Sequence, residues 1–348
     1  MIGEIPRHYN EDIENTGSGE EETESSFFPD YANKTVGTLK QIWEKIRFRE
    51  KLPDVHFTVF FSPHGSAKDL KGFEELLQSA DIYIPENASW TAERLKVFQD
   101  VANGKIHPDT LQFPKTGMEG FAKKQMELLY NSRKVITFAD VPRGHELDEQ
   151  IRNQKRFNPA FVMKQIQSFP TLLMILQGQE REYQDVENKR EQFILRQIPK
   201  AVRSAFKNSP ELKQKQKLEV LLSLGAMHTP IFQVLKGKHP ETTRRFNRIP
   251  FVYDYAEEVR RRIKFNKPID QLLMAKMALE HMIYKGIEDK LNTADVDNAA
   301  IVPIHREILD QFSYEEIEQI FTQVGEGQDF DKLFNGKLRG KKQSAKGK

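Results

Sequence analysis

The chain has 348 residues, carries 53 Lys and Arg against 51 Asp and Glu, and contains no cysteine. Its length predicts either one large domain with additions or two domains, and 30% charged residues indicate a well-solvated surface. The lack of cysteine excludes disulfides, thiolate metal sites and cysteine nucleophiles, which leaves His, Asp and Glu for any metal chemistry. A net charge of +2 argues against a general polyanion binder.

Nothing in the sequence predicts attachment to a membrane. The apolar runs fall well short of the ~20 residues that cross a bilayer. The first residues, MIGEIPRHYNED, lack the basic-then-apolar order of a signal peptide. We therefore expect a cytoplasmic protein without membrane contacts.

Charge is distributed unevenly, and the two ends of the chain differ in sign. Residues 9–26 are acidic and poor in apolar side chains, which predicts disorder. The last stretch, GKLRGKKQSAKGK, is basic and of low complexity, which predicts a flexible tail. The expected organisation is a disordered acidic tail over 1–33, an α/β core over 34–250, a helical region over 251–327 and a basic flexible tail over 328–348.

Apolar runs of strand length recur along the first two thirds of the chain. Each run holds four to eight residues, is rich in β-branched or aromatic side chains, and ends in a turn signal. The predicted strands are 54–61 (DVHFTVFF), 81–85 (DIYIP), 134–138 (KVITF) and 218–225 (LEVLLSLG).

Helical periodicity follows every one of these runs. The predicted helices cover 67–79, about 91–101, about 118–130 and about 146–207 with breaks near Pro159 and Pro170, and a further helix starts near Pro230. From about Asp254 onward the chain is predicted to be wholly helical. This order predicts an α/β fold: a mostly parallel sheet flanked by helices, with an all-helical C-terminal extension.

Polar side chains follow each predicted strand at the point where the strand ends. His64, Glu86, Asp140 and His228 hold these positions in chain order. Because ligands of open α/β sheets bind outside the carboxyl ends of the strands, the four side chains are expected to share one rim. A turn or helix-cap role is the alternative for the two carboxylates, whereas turns rarely need histidine.

The last of these strand ends resembles a known superfamily. Gly225-Ala226-Met227-His228, followed by the helical TPIFQVLKG, resembles the final motif of the superfamily of TraB, Tiki, haem-binding ChaN and erythromycin-esterase-like proteins. The segments ADIYIPE (80–86) and ENKREQFILRQI (187–198) resemble two further motifs of that superfamily. The resemblance covers about 54–237, and the order and spacing of its motifs count for more than any one of them.

The resemblance implies roles for His64, Glu86, Arg190 and His228 in a cleft at the strand ends. Members of the superfamily include metal-dependent proteases, esterases and haem-binding proteins, so the resemblance does not fix the reaction. Many relatives have a glycine where this chain has Phe61. A non-catalytic protein that binds haem or another small molecule, or that serves in protein interactions, is therefore the alternative to an enzyme.

Arg190 can also be interpreted from its own segment. Arg190, Ile194 and Ile198 are spaced four residues apart, so the arginine lies on the apolar stripe of the helix that should face the sheet. Its partner is then either a carboxylate of the same helix, Glu187 or Glu191, or the cleft, where it would pair with Glu86 or hold a substrate anion.

This set of residues suits the hydrolysis of an ester or amide bond in a small molecule or peptide. His64, Glu86 and His228 are suitable ligands for Mn, Zn, Co or Fe, while Glu86, Asp140 and Arg190 are the predicted catalytic residues, with Asp140 as a general base on metal-bound water. Without a metal, His64 or His228 would act as the base on water. The sequence does not choose between these two versions.

Two further interpretations concern the C-terminal part. Residues 243–267 interleave Arg and Lys with aromatic side chains, which would suit nucleic acid, but acidic residues in the same segment argue against it. The apolar segment QLLMAKMALEHMIYKGI would suit a homo-oligomer, although packing against the α/β core explains it equally well.

Overall fold

A computed structural model describes residues 53–64, 66–113, 118–154, 157–247, 253–291 and 298–346. It gives the backbone alone over 284–291, 298–301 and 342–346. The predicted disordered tail over 1–33 lies outside the described residues. Within the described part of the chain, no helix has both the length and the hydrophobicity needed to cross a membrane.

The described residues form a five-stranded sheet in which every pairing is parallel, in the order β3-β2-β4-β1-β5. Parallel strands that are covered on both faces have continuous apolar runs in their sequences, and the two longest strands, β1 and β4, have this character. The strands are β1 (Asp54–Ser62), β2 (Ile82–Pro85), β3 (Val135–Ile136), β4 (Lys217–Gly225) and β5 (Thr243–Phe246).

Helices connect the strands and then continue alone to the end of the described chain, which confirms the predicted α/β fold with a helical extension. In chain order the helices are α1 (Phe73–Ser79), α2 (Ala92–Ala102), α3 (Glu119–Leu129), α4 (Glu146–Arg152), α5 (Pro159–Ile166), α6 (Phe169–Asn208), α7 (Thr229–Lys238), α8 (Tyr255–Lys264), α9 (Gln271–Leu291), α10 (Asn298–Leu309), α11 (Tyr314–Gly325) and α12 (Phe330–Lys346). Short 3₁₀ turns cover Ala67–Leu70, Pro108–Thr110, Pro210–Gln214 and Ala226–His228.

One predicted element was wrong, and one strand was missed. The segment 67–79 is a 3₁₀ turn followed by α1, because Gly72 adopts a left-handed conformation with φ of 77° and interrupts the helix. The strand β5, which pairs with β1 at the edge of the sheet, lies inside the segment interpreted as a basic and aromatic surface. Its four residues are all exposed, so it lacks the apolar signal of the other strands.

The sheet separates two hydrophobic layers. One layer joins α7 and the C-terminal half of α6 to side chains of β1, β2 and β4, with Val59, Val220 and Ile194 among its buried members. The other layer packs α1, α2 and α3 against the opposite face, around Phe73 and Tyr83. Burial on both faces therefore fixes the register of the central strands.

The helix α6 links this sheet to the helical extension. It has 40 residues, which corresponds to a length of about 60 Å at 1.5 Å per residue. Its first turns, with Leu172 and Leu176, belong to the hydrophobic core of the helical extension, whereas Ile194 and Ile198 belong to the core of the sheet. The segment between these two cores carries Arg190.

The predicted flexible tail over 328–348 was also wrong, because residues 330–346 form the helix α12. Phe330, Phe334 and Leu338 recur at steps of four and make an apolar stripe that packs on the core of the helical extension. Phe334 stacks on Phe312 with ring centroids 5.3 Å apart. The high content of Lys and Gly conceals this stripe in the sequence.

Candidate functional site

The carboxyl ends of three strands lie side by side at one edge of the sheet. The register places Ser62 of β1 opposite Gly225 of β4, and Pro85 of β2 opposite Ser223 of β4. The chain leaves all three strands in the same direction because the sheet is parallel. Side chains that follow these strands immediately in sequence are thereby brought together.

Glu86 lies at the centre of the group. Its Oε1 accepts a hydrogen bond of 2.9 Å from Arg190 Nη2 and lies 3.3 Å from His228 Nε2. Its Oε2 accepts a hydrogen bond from the backbone N–H of Gly225, where a Cβ would lie only 3.2 Å from that oxygen. Burial raises the pKa of the Glu86 carboxyl, but His228 and Arg190 outweigh this effect and hold the pKa well below its usual range.

Arg190 binds three carboxylates, and it does so from a largely buried position. Its Nε and Nη2 donate to Oδ1 and Oδ2 of Asp140 at 3.0 and 2.5 Å, and Nη2 also donates to Glu86. Its Nη1 donates to Glu187 Oε2 at 3.3 Å. Of the three carboxylates weighed from the sequence, Glu86 and Glu187 are therefore partners of Arg190, whereas Glu191 contacts His228 and Lys264. Asp140 was not foreseen as a partner.

Asp140 is an anchor for Arg190 and for the backbone of two loops. In addition to the guanidinium, its Oδ2 accepts from Asn87 N at 3.1 Å and its Oδ1 accepts from Val141 N at 2.8 Å. Both oxygens are thus engaged, and the side chain is buried. This environment suits a carboxylate that holds Arg190 in place better than the general base that the sequence predicted.

His228 lies between two carboxylates. Its Nδ1 is 2.9 Å from Glu191 Oε1 and its Nε2 is 3.3 Å from Glu86 Oε1. A carboxylate accepts hydrogen bonds, so both ring nitrogens donate and the imidazole is protonated. Burial lowers the pKa of His228, yet the charge of Glu86 and the hydrogen bond to Glu191 together raise it to about 9.

Glu191 and Lys264 belong to the site, and neither role was predicted. Glu191 is buried on α6, where its Oε1 accepts from both His228 and the Lys264 ammonium. The sequence does contain a signal for the burial of Glu191. Ile194 and Leu195 follow it by three and four residues, so Glu191 shares a helix face with two buried apolar side chains. No local pattern points to Lys264, because its contact joins α8 to a helix more than 70 residues away in sequence.

His64 occupies the opposite side of Glu86 and is held differently. Its backbone has φ of 60°, its ring packs on Phe121 at 4.5 Å, and its Nδ1 lies 3.9 Å from Glu86 Oε2. Its Nε2 is buried and has no hydrogen-bond partner among the described residues. Burial lowers the pKa of His64 below 6.5, and this effect outweighs the opposite influence of Glu86. The ring is therefore neutral at pH 7.

Phe61, at the position where the superfamily resemblance predicts glycine, packs within the sheet. It is a buried residue of β1 whose ring stacks on Phe246 of β5, with centroids 5.0 Å apart. In the turn after β1, His64 itself adopts the left-handed backbone conformation. Such a conformation is uncommon outside glycine and often accompanies functional sites.

The predicted metal ligands His64, Glu86 and His228 do meet, but their present contacts do not fit a metal ion. In the described part of the chain, no three side chains of His, Asp or Glu are arranged to hold one. The two oxygens of Glu86 already accept from Arg190 and Gly225, and His228 donates through both nitrogens. Two neutral imidazoles and a free carboxylate would be the appropriate donor set.

Comparisons with protein-family models, curated proteins and solved structures find no match to this chain. The superfamily resemblance and the function that it implies therefore depend on the residues and the geometry of this chain alone.

Proposed function

We propose that the chain is a hydrolase of ester or amide bonds in which His64 is the general base. The observation that carries this proposal is the His64 Nε2 atom, which is buried beside a cluster of charged groups and has no partner in the described part of the chain. A buried polar atom left without a hydrogen bond costs free energy, so its persistence indicates a function such as binding water or substrate.

The surrounding charges suit a base. A neutral imidazole can accept a proton at pH 7, and the Glu86 carboxylate 3.9 Å from Nδ1 would stabilise the imidazolium that forms. A catalytic hydrogen bond is often long until substrate binds, so this separation is compatible with the role. Arg190 and the protonated His228 hold Glu86 from its other side and supply positive charge to the site.

The proposed reaction needs no group beyond water and substrate. His64 Nε2 takes a proton from water while the water oxygen forms a bond to the carbonyl carbon. The proton then passes to the alkoxide or amine as the C–O or C–N bond breaks. Negative charge that develops on the carbonyl oxygen is favoured by the nearby cationic Arg190 and His228.

Two alternative functions of the site remain predictions. A divalent ion on His64, Glu86 and His228 would require His228 to lose its proton and Glu86 to exchange partners. A binding protein without catalysis would keep the same residues and turn over nothing. Haem or another small molecule would be its ligand.

The test is a screen of hydrolysis with nitrophenyl and methylumbelliferyl esters of graded chain length, lactones and amino-acid nitroanilides. We expect turnover of at least one class, unchanged by EDTA, and a loss of about 10²- to 10⁴-fold in His64→Asn, as for removal of a general base. His107→Asn, at an exposed histidine outside the site, is the matched control.

Full activity in His64→Asn would contradict the role of His64. Loss of activity in EDTA, with recovery on adding Mn, Zn, Co or Fe, would favour the metal-dependent version. No turnover of any class, with or without added metal, would favour the binding protein.

A further inference from the structure

We propose that Lys264 of α8 is a positioning residue for this site, so that the helical extension supplies the residue that holds His228 and its turn in place. For catalysis this inference rests on the proposed function, whereas the effect on His228 is a property of the structure by itself.

Two contacts of the Lys264 ammonium define this role. One is to Glu191 Oε1, the same oxygen that accepts from His228 Nδ1. The other is to the backbone carbonyl of Met227, the residue directly before His228. Lys264 therefore fixes both the carboxylate that orients the ring and the backbone that carries it.

The charges in this group depend on one another. The side chains of Lys264, Glu191 and His228 are 4%, 1% and 5% exposed, so little water can replace a lost partner. Burial raises the pKa of the Glu191 carboxyl, but Lys264 first and then His228 hold it below its usual range. Without Lys264, Glu191 would be a buried carboxylate with the imidazole as its remaining partner among the described residues.

The helix that carries Lys264 is itself fastened to α6. Arg260, one turn before Lys264, forms an ion pair of 3.2 Å with the buried Glu180 and lies 4.8 Å above the ring of Tyr183. Val259 is fully buried in the core of the helical extension. The ammonium group is thus presented by a helix with its own anchorage, as a positioning residue requires.

A purely structural role for Lys264 would predict a loss of stability without a specific effect on His228. The experiment that separates the two roles uses protein labelled with ¹⁵N-histidine and follows the proton of His228 Nδ1–H by NMR. The test variant is Lys264→Met. The control variant is Lys267→Met, which alters an exposed lysine three residues further along the chain. The signal is assigned by its loss in His228→Asn.

We expect the His228 Nδ1–H signal to shift or disappear in Lys264→Met and to stay unchanged in Lys267→Met. In turnover, Lys264→Met should lose about 10- to 100-fold in kcat with little change in KM, as is common for residues that orient a site residue. Propylammonium should partly restore Lys264→Ala and should not restore His64→Asn. A wild-type signal and wild-type kcat in Lys264→Met would overturn the inference.

Two further outcomes are distinguished. If Lys264→Met does not fold, the double variant Lys264→Met/Glu191→Gln removes both buried charges; a folded double variant with wild-type kcat would overturn the proposal. If wild type hydrolyses nothing, the proposed function fails, and the NMR signal alone decides whether Lys264 orients His228.

Discussion

Arg190 and Asp140 are joined by two hydrogen bonds, from Nε to Oδ1 and from Nη2 to Oδ2. This two-pronged contact uses the planar geometry of the guanidinium, which a lysine cannot reproduce. It joins the long helix α6 to the loop that follows β3. The same guanidinium contacts Glu86, so one side chain holds two strand ends and a helix together.

Removal of Arg190 should therefore destabilise the whole protein. In Arg190→Met, the buried Asp140 loses its cation and Glu86 keeps only His228 as a cationic partner in the described structure. Breaking a buried pair typically costs about 3–5 kcal/mol. We expect a loss of this order in the free energy of unfolding by urea. Lys96→Met, which removes a surface ion pair whose lysine is 77% exposed, should change it by less than about 1 kcal/mol. Equal losses in the two variants would contradict this account of Arg190.

The raised pKa of His228 predicts a stability that falls at alkaline pH. The folded protein binds this proton more tightly than the unfolded chain, so the contribution is complete below pH 6.5 and is lost as the pH rises to about 9. Unfolding free energies measured between pH 8 and 9 should decline by up to about 1.4 kcal/mol per pH unit in wild type and less in His228→Asn. Identical slopes would show that His228 is not protonated in the folded state.

Glu280 predicts a second dependence on pH, at lower values. It is buried beneath the start of α8, where Oε1 accepts from Tyr255 N and Oε2 accepts from Ala256 N, both at 3.0 Å. Burial first and then the charge of Asp254 raise the pKa of Glu280 to about 8. The folded state therefore favours the neutral acid, and its contribution to stability is lost as pH rises from about 4.5 to about 8.

The variant Glu280→Gln removes this titration. We expect the free energy of unfolding to depend less on pH between 5 and 8 in this variant than in wild type or in Glu127→Gln, which alters an exposed glutamate of α3. An unchanged pH dependence would mean that Glu280 is already ionised in the folded protein.

The helix α12 should contribute measurably to stability despite its basic composition. Phe334→Ala removes a ring that stacks on Phe312 and Phe330, and deletion of a buried phenylalanine commonly costs about 3–5 kcal/mol. Phe161→Ala, at a ring that is 62% exposed, should change stability by less than about 0.5 kcal/mol. Equal effects in urea unfolding would support the flexible tail that the sequence predicted.

Much of the fold was predictable because periodicity reports burial. The strands β1, β2 and β4 and the breaks before α5 and α6 follow from apolar runs and from Pro159 and Pro170. The edge strand β5 and the helix α12 were missed for a common reason. The strand β5 is stabilised by backbone pairing with β1, and the helix α12 is stabilised by an apolar stripe that stands among many lysines. Amino-acid composition reports neither contact.

The site was predictable only in part. A parallel sheet brings strand ends together, so His64, Glu86, Asp140 and His228 could be grouped from the order of the elements alone. Their partners could not be grouped in this way. The contact of Lys264 with Glu191 depends on how α8 packs against α6, and that packing has no signature in either segment.

The most informative single measurement is the protonation state of His64 and His228 at pH 7, read from the ring-nitrogen shifts in NMR spectra of protein labelled with ¹⁵N-histidine. The two sets of signals are assigned by their loss in His64→Asn and His228→Asn. We expect a neutral imidazole at His64, whose Nε2 has no partner in the described structure, and an imidazolium at His228, which donates through both nitrogens. A protonated His64 or a neutral His228 would contradict the assignment of His64 as the base.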